Sequence, residues 1–273
     1  MEQAQISRPA ILGEPELLHA TYVSHRFPRH THEGYGFGVI ERGALGFRYR
    51  GEEVVAPAGA INLVIPDEPH TGQAAAPEGW TYRMFYLRAD LLERAHRELA
   101  GSSAGLPFFR PGVVCDPPLA ARLVALHREL ERGGSPRLML EGGLLALLAG
   151  FIRRHASPRP GEGRTPHAPL ELERARDYIH AHFARDIGLE RISSLAGLSP
   201  WHLAREFTRA FGVPPHAYQI QVRVGEARRL LALGNSIADT AAATGFTDQS
   251  HLTRHFNRLT GVTPGRYRKN VQD

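Results

Sequence analysis

The chain is nearly free of cysteine and lysine. Cys115 is its one thiol, so no disulfide can close within the chain, and a reducing, cytoplasmic setting is expected. Lys269 is its one lysine, which leaves arginine to carry almost all of the positive charge. Long apolar runs are missing as well. The most apolar stretch, Leu138 to Ile152, contains Glu141 and is too short to span a bilayer, so it reads as a buried helix and no membrane partner is expected. The opening residues, "MEQAQISRPAILGEPELL", begin acidic and lack the apolar centre of a signal peptide. Hydrophobic and charged fractions of 42% and 22% exclude a disordered or fibrous chain.

What the chain does contain falls into two halves. Its 273 residues suffice for two modest domains, each with its own core. The net charge is +5, and residues 170–273, with 14 Arg and Lys against 10 Asp and Glu, hold +4 of it. Guanidinium matches phosphate geometry, so the excess hints at a polyanionic partner for that part of the chain.

Residues 20–87 read as strands and turns. In "GFRYRG", Phe47 and Tyr49 alternate with Arg48 and Arg50, the period of a half-buried strand. "INLVIP" and "WTYRMFYL" are further strands, set apart by Pro and Gly, and such spacing predicts a sandwich or small barrel. After Asp90 the period becomes helical. "LAARLVALHRELER" and "RLMLEGGLLALLAGFIRRH" predict a helical pair that either joins a second copy as a homodimer or packs on its own barrel. Residues 156–169, "ASPRPGEGRTPHAP", read as a linker between a domain at 1–155 and a helical domain at 170–273.

The helical part repeats itself. A shift of 49 residues lays "LAREFTRAFGVPPHAY" over "LTRHFNRLTGVTPGRY", and eight of sixteen positions are identical. The eight pairs are Leu203/Leu252, Arg205/Arg254, Phe207/Phe256, Arg209/Arg258, Gly212/Gly261, Val213/Val262, Pro215/Pro264 and Tyr218/Tyr267. In each unit a short helix ends near a Gly, and Ser199 or Thr247 and Asp248 then offer a cap for a second helix. That is the plan of a helix-turn-helix, whose second helix enters the major groove. A linker helix of about 18 residues between the units spans roughly 27 Å, which allows two reading helices about one turn of duplex apart.

In the first unit Leu203, Phe207, Ala210 and Phe211 form the inward stripe, and Trp201, Arg205, Thr208 and Arg209 face outward. Arg205 and Arg254 share a register and suit guanine edges, while Arg209 and Arg258, one turn on, suit phosphates. Trp201 and His202 in the first unit, and Gln249, Ser250 and His251 in the second, occupy the first turn, where base edges are reached.

These residues carry a resemblance. "ISSLAGLSPWHLAREFTRAFGVPPHAYQIQVRVGEARRLL" and "SIADTAAATGFTDQSHLTRHFNRLTGVTPGRYR" resemble the AraC/XylS family of bacterial transcription regulators, most specifically in "GFTDQSHLTRHF" and "GVTP". The resemblance implies two helix-turn-helix units joined by a linker helix, promoter DNA as partner, and activation together with RNA polymerase. It places family contacts on Trp201, Ala204 and Arg205, and on Gln249, Ser250, His251, Thr253 and Arg254. The segment "FPRHTHEGYGFGVIERGALGFRYRGEEVVAPAGAINLVIPDEPHTG" is similar to the cupin-type effector domain found on many such regulators. The implied architecture is an N-terminal all-β cupin-like barrel with appended helices, followed by the all-α double helix-turn-helix domain. A small-molecule effector of unknown identity then belongs in the barrel. Arg42 before Gly43 matches an effector-holding arginine of the family, and His30, His32, His70 and Tyr82 complete the expected effector set.

His30, His32 and His70 also pose the rival reading, a metal-dependent cupin enzyme fused to a DNA-binding domain. Metal cupins add a Glu about four residues past the second His. Gly36 stands there, and Glu33 should point to the other face of its strand. A metal-free pocket is therefore expected, with no cofactor, no metal and no catalytic residue. An architectural DNA-binding protein whose barrel only dimerises is a third reading.

Overall fold

The computed structural model describes residues 2–100, 104–157 and 169–272. The chain divides into two compact units, one of residues 1–26 and 31–160 and the other of residues 27–30 together with 161–273. The expected linker at 156–169 lies for the most part outside the described residues.

Nine strands form one sheet: β1 (Gln3–Ser7), β2 (Glu16–Tyr22), β3 (Phe27–His30), β4 (Tyr35–Tyr49), β5 (Glu52–Pro57), β6 (Ile61–Val64), β7 (His70–Ala74), β8 (Trp80–Leu87) and β9 (Val113–Val114). The main path runs β1-β2-β8-β4-β6-β9, with β5 and β7 also on β4, and β3 on β7. The path does not close, so the barrel expected from the strand spacing is a folded, open sheet among the described residues.

Strand β4 makes the fold. Its first half pairs with β6 and β8, and its second half with β5 and β7. The register slips between Ile40 and Arg42, a bulge that bends the strand. At Gly43, φ is +67° and a Cβ would stand 1.9 Å from the carbonyl oxygen of Gly79. Only glycine lets the two strands meet there.

Helices cover one face of the sheet. These are α1 (Ala89–Ala100), α2 (Pro117–Arg132) and α3 (Arg137–His155). Phe37 of β4 lies 4.4 Å from the Phe151 ring of α3 and 5.6 Å from Phe109. Leu144, Leu148 and Phe151 are fully buried, so one side of α3 packs within its own unit, while Met139 and Leu145 stay exposed. Arg83 of β8 is buried under α2, where it pairs with Glu41 and Glu131 and lies 3.1 Å from His127 Nδ1. Burial alone would raise the Glu131 carboxyl, but His127 and Arg83 outweigh it and hold it at about 2.

The second unit is helical: α4 (Leu170–His182), α5 (Leu189–Ala196), α6 (Pro200–Phe211), α7 (Pro215–Ala232), α8 (Ile237–Ala243), α9 (Gln249–Thr260) and α10 (Pro264–Gln272). Leu172, Ile179, Ile192, Leu203 and Phe207 form one core cluster. Leu252, Phe256 and Tyr267 are buried at the equivalent places of the second unit of the repeat. No helix of the described residues is long and apolar enough to cross a membrane.

Candidate nucleic-acid interface and effector chamber

The duplicated residues sort themselves by burial. Leu203 and Leu252, Phe207 and Phe256, and Val213 and Val262 are all buried. Gly212 and Gly261 close α6 and α9, and Pro215 and Pro264 open α7 and α10. Packing and chain reversal account for these pairs. They do not account for Arg205/Arg254 and Arg209/Arg258, which are all exposed.

Helices α6 and α9 each start from a side-chain cap. Ser199 Oγ accepts from the His202 amide at 3.3 Å, and Asp248 Oδ1 accepts from the His251 amide at 2.7 Å. Of the inward stripe, Leu203 and Phe207 are buried and Phe211 half-buried, but Ala210 is exposed, a correction to the sequence reading. It lies at the edge of the arc that Phe207 and Phe211 cover. The Trp201 side chain falls outside the described residues. His202, Gln249 and Ser250 are exposed on first turns, and His251 is half-buried.

The two arginine pairs differ in setting. Arg205 donates to Glu206 at 3.0 Å, and Arg209 stands 3.8 Å from the same carboxylate. Arg254 and Arg258 make no ion pair among the described residues. The first helix therefore presents partly neutralised guanidinium groups and the second presents uncompensated ones. Beside Arg254, the His251 and His255 rings lie 4.8 Å apart, and Phe246 packs on both. Burial, then the charges of His251, Arg254, Arg258 and His216, pull His255 down to about 4.

Sequence reading missed Arg223. From α7 it donates to the carbonyls of Phe183 (2.7 Å), Arg185 (2.9 Å) and Gly245 (2.6 Å), and Gln219 adds bonds to Phe183 and Arg185. One guanidinium thus ties the end of α4 to the turn before α9. Gly245 needs its identity: φ is +76° and a Cβ would lie 2.1 Å from the Ala184 carbonyl oxygen.

In the first unit the sheet face away from α2 and α3 carries Tyr82, Met84 and Tyr86 on β8, opposite Ile40, Gly38 and Gly36 of β4. Tyr82 is fully enclosed, and burial, then Tyr86 and Tyr22, push its phenol well above the usual range. Tyr86 continues to His32, 5.2 Å between rings, and His32 to His70 at 5.0 Å. His30, His32 and His70 present ring nitrogens that all lie within 4.8 Å of one another. Asn62 Oδ1, facing Gly38, is buried with no hydrogen-bond partner among the described residues.

So four of the five expected effector residues come into one neighbourhood, and Arg42 does not. It is exposed beside the bulge and pairs with Thr81, on the strand face away from Tyr82. Tyr86 was missed, although its spacing of four from Tyr82 puts both on one face of a strand. Glu33 is exposed, but β3 ends at His30, so His32 and Glu33 lie in the connection to β4 and not on one strand with His30, a correction to the sequence reading.

Residues 12–148 match the family model described as an AraC-like ligand binding domain, and residues 192–270 match one described as a helix-turn-helix domain. The chain is 32% identical over 230 residues to the uncharacterized HTH-type transcriptional regulator YbfI of Bacillus subtilis, covering 84% of this chain and 82% of that protein. It is 24% identical over 246 residues to the arabinose operon regulatory protein of Escherichia coli, covering 88% and 82%. Among solved structures, ToxT of Vibrio cholerae with a bound unsaturated fatty acid superposes with a TM-score of 0.59 at 12% identity, over 99% of this chain and 95% of that one. That likeness is one of fold.

Proposed function

Because the chain belongs to the AraC family of transcriptional regulators, with a ligand-binding domain ahead of a helix-turn-helix domain, we propose that α6 and α9 read two successive major-groove windows of promoter DNA under control of a small molecule held against β8. The observation that carries this reading is the pair of duplicated arginines that no core requires.

Arg205 and Arg254 take the base edges, and Arg209 and Arg258 the phosphates. His202, Gln249, Ser250 and His251 stand on the first turns beside them, with Trp201 at the matching place of α6. Helix α7 is the linker helix that spaces the two windows, held in place by Arg223. The effector site is a cupin-like chamber on His30, His32, His70, Tyr82 and Tyr86, with the unpaired Asn62 oxygen available to a donor. Activation through RNA polymerase in the cytoplasm, and pairing of two copies through exposed Met139 and Leu145, complete the reading. The relatives that match are regulators, and none of the comparisons supports a fused enzyme.

Selection of bound duplexes from random DNA with the full-length chain tests this. Two short enriched motifs about one helical turn apart are expected. Enrichment of a single motif, or of none with the effector domain both present and removed, would overturn it.

A further inference from the structure

The duplication breaks at one charged position. Under the shift of 49 residues Arg205 and Arg209 fall on Arg254 and Arg258, whereas Glu206 falls on His255. Helix α6 therefore carries an acid between its two arginines, and α9 carries none from Gln249 to Thr260. Both helices keep a side-chain cap, a buried Leu and Phe, and a closing glycine, so the shared packing does not require the exchange.

Glu206 holds its two neighbours. It is half-buried, in a groove that it lines with Leu172 and Arg174 of α4, while Arg205 and Arg209 are exposed. Its Oε1 accepts from Arg205 Nε at 3.0 Å, and its Oε2 lies 3.8 Å from Arg209. On the other side Arg205 Nη2 lies 3.4 Å from His202 Nδ1, which accepts when the ring proton is on Nε2. A guanidinium has five N–H donors, and with one on Glu206 and one on His202, three remain. Each terminal nitrogen keeps at least one, and that edge forks onto guanine O6 and N7. Helix α9 has no such brace. The His255 ring stacks on Phe246, and at about 4 it is neutral near pH 7. No hydrogen bond or ion pair joins it to Arg254 among the described residues.

We propose that Glu206 is the positioning residue of the first window: it orients Arg205 for one base pair, and its charge makes α6 a selective, weakly held reader beside a tightly held, tolerant α9. The proposal rests on the DNA-reading function of the two helices and states how they share it. A side chain fixed before contact loses less freedom on binding and satisfies fewer wrong geometries. The carboxylate also opposes the phosphate field, which disfavours any duplex that offers Arg205 no good partner. Arg254 and Arg258 bring their full charge to every duplex, and such contacts supply affinity without regard to sequence.

The test uses the full-length chain with Glu206→Gln and Glu206→Ala. Each is measured on the duplex selected by the parent, on its single-base variants and on unrelated duplex, at several salt concentrations. Glutamine keeps an oxygen for Arg205 Nε and drops the charge; alanine drops both. Both variants should bind unrelated duplex about two- to fivefold more tightly, the scale of one exposed ion pair. Only Glu206→Ala should also flatten base preference in the first window, by about threefold or more, with the second window unchanged. Equal first-window preference in the parent and Glu206→Ala overturns the positioning role. Unchanged binding of unrelated duplex by both variants overturns the weak hold of α6. Weaker binding of every duplex, with earlier thermal unfolding, makes Glu206 a structural residue and overturns both. A parent that prefers no base in either window removes the DNA-reading function itself. A parent selective in both windows, with variants that match it, leaves that function standing and sinks the part given to Glu206.

Discussion

At the scale of the residue, the duplicated arginines divide by task under the proposed DNA-reading function. Arg205→Ala or Arg254→Ala is expected to cost about 1–3 kcal/mol of DNA binding and to relax base preference in one window only. Competition binding on single-base variants of the selected duplex reads this, and an equal loss on every sequence would reassign that arginine to a phosphate. Arg209→Ala and Arg258→Ala should instead weaken all sequences alike and lower the salt dependence by about one ion each. His255 makes a separate claim on pH. Its value in the fold, about 4, lies below the ordinary 6.5, so the unfolded chain takes up a proton first as pH falls. The stability it contributes is full above about pH 6.5 and is lost progressively towards about pH 4. Urea unfolding of the full chain at several pH values should show this loss, and His255→Gln should flatten it. The exposed arginines were legible because the repeat marks them twice. The run from Tyr82 to His70 was legible only in part, because it crosses strands that the chain order separates.

At the scale of the element, helix boundaries were readable where their causes are local. Caps at Ser199 and Asp248, prolines at the first turns and the apolar stripe at helical period all lie within a few residues of what they determine. Arg223 has no such local cause, since the carbonyls it binds are 22 to 40 positions away. Arg223→Met is expected to destabilise the helical unit by about 2–3 kcal/mol by leaving buried carbonyls unpaired. It should also weaken binding to a two-window duplex more than to a single window; equal loss on both would mean that α7 keeps its spacing without it. In the sheet, Arg83→Met removes the guanidinium that Glu41 and Glu131 share, leaving Arg128 on Glu41 and His127 beside Glu131, and should cost about 1.5–3 kcal/mol, read as a lower urea midpoint.

At the scale of the whole molecule, control requires that the effector favour one state of the chain over another. A shift in DNA affinity can be no larger than the difference in effector affinity between those states. If the effector shifts DNA affinity tenfold, DNA must shift effector affinity tenfold, and calorimetry with the selected duplex present and absent measures both. The sequence by itself determined the division into a strand-rich and a helical part, the duplication, the cap and core positions, and the outward arginines. All of these are periodic or local, and periodicity survives without coordinates. Tertiary structure alone decided that the sheet stays open at β1 and β9 among the described residues, that Arg42 lies apart from His32, His70 and Tyr82, and that Tyr86 and Asn62 lie on the same side of the sheet as Tyr82. The place of Arg42 hangs on the bulge between Ile40 and Arg42, which changes where every later side chain of β4 points. A one-residue irregularity has no signature in composition or period, yet it sets which residues can meet.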